Sequence, residues 1–318
     1  MEAQRKVMAI RITSLEEYLQ KIKENCFNSK IHILREKLDD IWFRGESKIN
    51  NRVLPSLFRF KGNSIPNNGY YSMFHEQILI EKALQYYPSL FEHCNSAIER
   101  LVTMQHYTLP TRLLDVTKSP LVALYFACSG DFEEPGRVLF MKKLWPILDS
   151  TTINELAIIA ENTSDAPLGG NTIKECLKKL KADKSFIKLF IDATKNYLFI
   201  PKYDNDRIKH QQGAVIFSSL FQPVKQDKER FHSICEKFEK AQIDNVIEEL
   251  CEIQYQNDDA SLDNEFETKY FEVPADFKQV IRRELDNCGI NEAIVYPEPE
   301  HQMQYVKWYC AGRNEIYD

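Results

Sequence analysis

An arginine, an aspartate and two threonines fall close together in Thr111-Arg112-Leu113-Leu114-Asp115-Val116-Thr117, with Gln105-His106 just ahead of them. Ser119-Pro120 follow, a hydroxyl at the N-cap and a proline at the first helical position, before the apolar run from Leu121 to Cys128. The stretch reads strand, turn, helix. Its polar groups therefore gather where a strand hands over to a helix N-terminus, whose free N–H groups and dipole favour an anionic ligand such as phosphate. Arg112 and Asp115 are three apart across Leu113-Leu114 and face opposite sides of a strand. For Arg112 the alternatives are a structural anchor or a ligand contact, and for Asp115 a cap or a site carboxylate. A neutral His106 imidazole suits a donor to ligand, a general base or a structural hydrogen-bonder. Thr111 and Thr117 either line a ribose or cap locally.

Two further blocks carry chemistry. In Trp42-Phe43-Arg44-Gly45 a short apolar run meets an arginine, as a buried strand does on reaching a cleft, so Arg44 is placed at a strand end. Arg44 either contacts phosphate or ribose, or is a buried arginine whose natural partner is Asp115. In Arg207-Ile208-Lys209-His210-Gln211-Gln212-Gly213 the amides of Gln211 and Gln212 can bracket a nucleobase or ribose edge, or close a turn before Gly213. The eight cysteines include no Cys-x-x-Cys pair and no histidine at zinc-finger spacing, so reduced thiols and no metal are expected.

Taken together, these blocks resemble the bacterial FRG domain, whose pattern is Phe-Arg-Gly, then Gln-His-x-x-x-Pro-Thr-Arg-Leu-Leu-Asp-x-Thr-x-Ser-Pro with an Ala-Leu-x-Phe-Ala helix, then Arg-x-x-x-Gln-Gln-Gly. The resemblance spans roughly residues 40 to 220. More distantly, the blocks are similar to those of ADP-ribosyltransferases, which bind NAD between two sheets. In that family an arginine on the first strand holds phosphate or ribose, and a glutamate on a later strand fixes a ribose hydroxyl. Gln211-Gln212-Gly213 stands where that glutamate would be, and a neutral amide cannot offset an oxocarbenium charge as a carboxylate does.

The resemblance implies an α+β fold with an ADP-ribosyltransferase-like split β-sheet core and helical insertions. It also implies an NAD-consuming transferase that passes ADP-ribose to a macromolecular acceptor, RNA, DNA or protein, in a toxin or antiphage setting restrained by an antitoxin or regulatory protein. The catalytic set would be Arg44, His106, Thr117 and Gln212. The NAD-binding set adds Phe43, Gly45, Gln105, Thr111, Arg112, Asp115 and Gln211. The alternative is a non-catalytic nucleotide- or nucleic-acid-binding module with a degenerate cleft, and the missing glutamate favours it. Glu46, Glu298 and Glu300 are the glutamates whose position relative to the cleft folding decides.

Elements must position these groups. Thr13-Ser14 caps a helix from Leu15, with Glu17 in the capping-box position. Helices are expected over about 73–86 and 89–104, leaving His106 in a loop ahead of Pro110. A strand starts at Gly136 after the Glu134-Pro135 turn. A helical insertion covers about 150–195, with lysines from Lys174 to Lys188 on a solvated face. Short strands return at Tyr197–Pro201 and Gly213–Phe217. From 226 to 318 a C-terminal lobe or extension follows: a charged helix over 229–251, an acidic loop over 256–267, and a helix from Phe277 that stops at Gly289. The net charge of −6 argues against a broad basic surface for coating a duplex. No apolar run approaches the roughly 18 residues of a membrane span, and the first six residues lack a secretion signal, so a soluble, cytoplasmic protein is expected.

Overall fold

The computed structural model describes residues 8–27, 41–50, 52–59, 73–141, 150–162, 184–202, 206–223, 225–239, 246–253, 255–256, 262 and 265–313. Its centre is a mixed seven-stranded sheet. The strands are β1 (Met8–Arg11), β2 (Trp42–Glu46), β3 (Leu113–Thr117), β4 (Gly136–Met141), β5 (Tyr197–Phe199), β6 (Gly213–Phe217) and β9 (Lys269–Val273), in the spatial order β1-β9-β4-β2-β3-β6-β5. β7 (Gln222–Pro223) and β8 (Tyr255–Gln256) pair separately. The β1–β9 pair is parallel and every other neighbouring pair is antiparallel.

The strands form one hydrogen-bonded sheet rather than two sheets flanking a cleft. Its bonding is thinnest in the middle, where β2 and β3 share the single registered pair Phe43–Thr117. By contrast, β2 registers along its whole length with β4, and β3 with β6. β9 comes from the segment expected as a C-terminal lobe or extension and lies inside the sheet between β1 and β4. The chain past 225 is therefore built into the same core.

Helices α1 (Leu15–Ile22), α5 (Pro120–Ala127) and α11 (Lys278–Asn287) cover the β1-β9-β4-β2 half of one face, where Tyr18, Leu124 and Ile281 bury against Phe43, Phe140 and Phe271. On the same face, α3 (Met73–Tyr86), α4 (Ala97–His106) and α6 (Ser150–Asn162) cover the β3-β6-β5 half over Leu113, Phe217 and Tyr197, together with α7 (Lys184–Asp192), α9 (Lys228–Glu239) and α10 (Val246–Glu252). The opposite face buries Trp42, Leu114, Leu139 and Ile216 under loop residues Val53, Leu262 and Phe266.

Several local signals act as expected. Ser14 Oγ accepts from Glu17 N at 3.2 Å, and Glu17 accepts from the Thr13 N–H and hydroxyl. Ser119 caps α5 through Val122 N at 3.3 Å. Gly289, at φ +80°, follows α11. Of the helix expected over 229–251, α9 and α10 are helical and 240–245 lie outside the described residues. One expectation is corrected. His106 lies in the last turn of α4 rather than in a loop, since α4 starts at Ala97 and Thr108 at φ 63° ends it without a glycine. Most of the lysine-rich 174–188 segment and the acidic 256–267 loop lie outside the described residues. Among the described residues no helix is long and apolar enough to cross a membrane.

The glycine of the Phe-Arg-Gly block has a packing cause. α5 lies so close to β2 that a Cβ on Gly45 would come within 1.9 Å of the Ala123 carbonyl oxygen. Gly136 on β4 stands in the same relation to Ala127, at 2.0 Å. A glycine on each of two neighbouring strands lets the helix lie against the backbone of both.

Candidate functional site

A cavity of about 280 Å³ opens at the thin place between β2 and β3. Phe43, Arg44 and Gly45 form its β2 wall, Asp115, Val116 and Thr117 its β3 wall, and Gly213, Ala214 and Val215 its β6 wall. Val102, Gln105 and His106 reach it from α4, and Phe126 from α5. The remaining wall is Pro201, then Arg207, Ile208 and Gln211 around helix α8 (Asp206–His210), and finally Tyr296, which follows α12 (Glu292–Val295). Three blocks far apart in sequence thus meet at one cavity.

Arg44 sits inside β2, opposite Leu139, not at the strand end. Its Nε donates to Glu46 Oε1 at 3.0 Å, and its Nη1 crosses the seam to the Asp115 carbonyl oxygen at 2.8 Å. The partner is therefore Glu46 and the Asp115 main chain, not the Asp115 carboxylate. Glu46 is buried and also accepts from Arg137 Nε at 2.9 Å. Burial alone would raise the Glu46 carboxyl, but Arg44 and Arg137 hold it below its ordinary value.

Asp115 is the only carboxylate among the described residues that line the cavity. Gln105 Nε2 donates to its Oδ1, while the Thr111 hydroxyl donates to Gln105 Oε1. Thr111 is anchored in turn by Ser56 Oγ, which accepts from its N–H at 3.0 Å. The hydroxyl of Thr111 thus orients Gln105, which orients Asp115. Thr111 is buried and does not itself line the cavity.

Arg112 is fully buried, away from the cavity. Its guanidinium pairs with Glu76 on α3, donates to the Ser218 and Ser219 carbonyls at 3.3 and 3.1 Å, and lies 5.5 Å over the Phe217 ring. It is an anchor between α3, β3 and the end of β6. Thr117 lines the cavity, yet its hydroxyl donates to the Gln211 carbonyl at 2.6 Å and accepts from Ser119 N at 2.9 Å. That leaves it an acceptor toward a ligand, with its one proton committed. Gln212 is exposed, takes φ 47° and offers its carbonyl to Lys118 N at 3.1 Å. It closes the turn before β6 and does not line the cavity, whereas Gln211 does and donates to the Val295 carbonyl at 3.1 Å.

The wall around Tyr296 was not read from sequence. Arg207 Cζ lies 4.7 Å over the Tyr296 ring, and Tyr296 meets Phe126 edge-on at 6.0 Å. Arg207 Nη1 also donates to the His106 carbonyl at 3.4 Å. Burial and the Arg207 charge together lower the His106 pKa from its ordinary value, with Glu298 acting the other way, so the imidazole is neutral near pH 7. Burial raises the Tyr296 pKa and keeps the phenol protonated. The signal for Arg207 was present as the first residue of the third block. For Tyr296 no local pattern marks a pocket residue.

Residues 39–135 match the family model of the FRG domain, so the chain carries that domain over β2, β3 and α5, and the third block lies beyond the match. No curated protein and no solved structure matches the chain.

Proposed function

From this FRG domain and its cavity, we propose that the protein binds NAD between β2 and β3 and transfers its ADP-ribose to a macromolecular acceptor. The observation that carries the reading is that the three sequence blocks converge on one cavity, with Asp115 as its carboxylate and Arg44 bound to the Asp115 main-chain carbonyl. The negative charge absent from Gln211 and Gln212 is supplied by Asp115 instead. Cleaving the bond between C1′ and the nicotinamide nitrogen leaves positive charge on the ribose, and a fixed carboxylate within the cavity stabilises that charge. Gln105 holds one Asp115 oxygen and leaves the carboxylate oriented before the reaction begins.

Arg44 and Arg207 are the cations of the lining, suited to the diphosphate, and Phe126 and Tyr296 offer ring faces and edges to a base. The cavity volume lies near the lower end of ligand pockets, roughly 300–1,000 Å³. It therefore encloses about a nucleoside and leaves the rest of a dinucleotide across the mouth. A toxin or antiphage role, held in check by an antitoxin, is the setting that goes with this reading.

A second reading, a non-catalytic nucleotide- or nucleic-acid-binding module, is favoured by one observation. Arg44 and Thr117 already spend donors on Glu46, Asp115 and Gln211. Labelled NAD incubated with the protein and a cell lysate, followed by protease or nuclease digestion, separates the two. Transfer predicts label on one acceptor class, lost in Asp115→Asn. If NAD binds in titration calorimetry and nothing is labelled, the binding module stands in its place.

A further inference from the structure

Glu298 lies outside the FRG match, between α12 and α13 (Pro299–Cys310), yet its carboxylate ends beside the cavity. Oε1 is 3.5 Å from His106 Nε2 and 3.7 Å from Arg207 Nη1. Both carboxylate oxygens are shut off from solvent, and neither accepts a hydrogen bond among the described residues. The Arg207 charge at ion-pair distance offsets part of the carboxylate's desolvation, and no hydrogen bond among the described residues adds to it. The turn that carries it is fixed from both sides. Tyr296 stacks on His301 at 4.2 Å with 19° between the rings, His301 Nδ1 is 2.9 Å from Glu292 Oε1, and Gln211 holds the Val295 carbonyl. The turn thus places the carboxylate beside an imidazole whose burial and Arg207 neighbour do not favour its charged form.

We propose that Glu298 positions His106 as the base that removes a proton from the acceptor's nucleophile, a role that rests on the transferase reading above. The acceptor's O–H or N–H gives its proton to the imidazole nitrogen turned away from Glu298. The nucleophile's electron pair forms the new bond to C1′ as the C1′–nicotinamide bond breaks, and its electrons leave with neutral nicotinamide. The neutral imidazole already carries its one proton on Nε2, on the Glu298 side, so protonation at the other nitrogen adds the charge and Glu298 becomes its counter-ion. The groups that face His106 are Arg207 from α8, Glu298 from the α12–α13 turn, and Tyr107, whose ring meets it edge-on at 4.8 Å. Tyr296 completes the wall nearby. Burial and Arg207 keep the base unprotonated while it waits, and the arriving proton gives Glu298, already at ion-pair distance from Arg207, a second cation beside it.

The test uses the full chain with Glu298→Gln, Glu298→Asp and His106→Gln. The readouts are NAD affinity by calorimetry, labelled transfer across pH, and the His106 imidazole titration by NMR. General acid–base groups bring roughly 10²–10⁴-fold in rate, so Glu298→Gln should slow transfer at least about tenfold with NAD affinity unchanged within about twofold. Removing the carboxylate lowers the His106 pKa further, so the acid limb of the rate profile and the NMR titration both move to lower pH. Glu298→Asp should recover part of the rate, which guards against a folding defect in the amide variant. Transfer and titration unchanged in Glu298→Gln, while the wild type still labels its acceptor, would sink the role of Glu298 alone. A wild type that binds no NAD and labels nothing removes this role and the transferase reading together.

Discussion

Asp115 and Asn have the same shape, so the Gln105 bond survives the change Asp115→Asn while the charge does not. NAD-dependent labelling should fall by about 10²-fold or more, the scale of losing a charge-stabilising group, with thermal denaturation close to wild type. Two arginines separate site from scaffold. Arg112→Ala strands the buried Glu76 and should cost about 3–5 kcal/mol in urea denaturation. Arg44→Ala leaves Glu46 its Arg137 partner, so it should cost less, about 1–3 kcal/mol, and still abolish labelling. The pH dependence follows from His106. Its pKa is lower in the folded protein than in the unfolded chain, so the unfolded state binds more protons once pH falls below about 6.5. The neutral-His106 contribution to stability is present above that value and is lost as pH drops toward the folded pKa. Denaturation midpoints measured across this window should fall less steeply in His106→Gln than in wild type.

Among the elements, α5 carries the sharpest expectation. Gly45→Ala puts a methyl into the Ala123 carbonyl, which is main chain and cannot swing away. Overpacking commonly costs about 1–3 kcal/mol, and a backbone collision belongs at or above the top of that range. A large drop in melting temperature, with labelling lost as β2 shifts, is the expected result; a variant as stable as wild type would show that α5 and β2 are farther apart. Helix starts and short apolar strands were legible because their signals are local: Ser119-Pro120 for α5, Ser14 and Glu17 for α1, Leu113-Leu114 for β3. The end of α4 was not, because Thr108 adopts the left-handed conformation that glycine usually marks. The short apolar runs beside each block were legible, but that Gln211 and not Gln212 of the third block would line one cavity with the other two was set by the fold. Which carboxylate would face that cavity was not legible either, since the Thr111-Gln105-Asp115 chain depends on how α4 crosses β3. The same holds for Tyr296 and Glu298, which the third dimension alone brings to His106.

Across the whole molecule, β9 ties β1 to the rest of the sheet, with Met8 registering against Lys269 and Arg11 against Glu272. A fragment ending at 225 lacks this interior strand, and α11 with it, whose buried Lys278 Nζ donates to the carbonyls of Ser47 at 2.5 Å and Asp131 at 2.8 Å. Circular dichroism and NMR of residues 1–225 should therefore show a chain without a cooperative unfolding transition, and an NMR spectrum with native dispersion would contradict this. The position of β9 also has a consequence for synthesis. At roughly 5–20 residues per second, a ribosome completes the matched segment several seconds before it delivers the strand that must enter between β1 and β4. Throughout that interval the nascent chain holds every residue of the first two blocks without a closed sheet to aim them. The transferase proposed above would thus have its site aimed only after β9 has been synthesised.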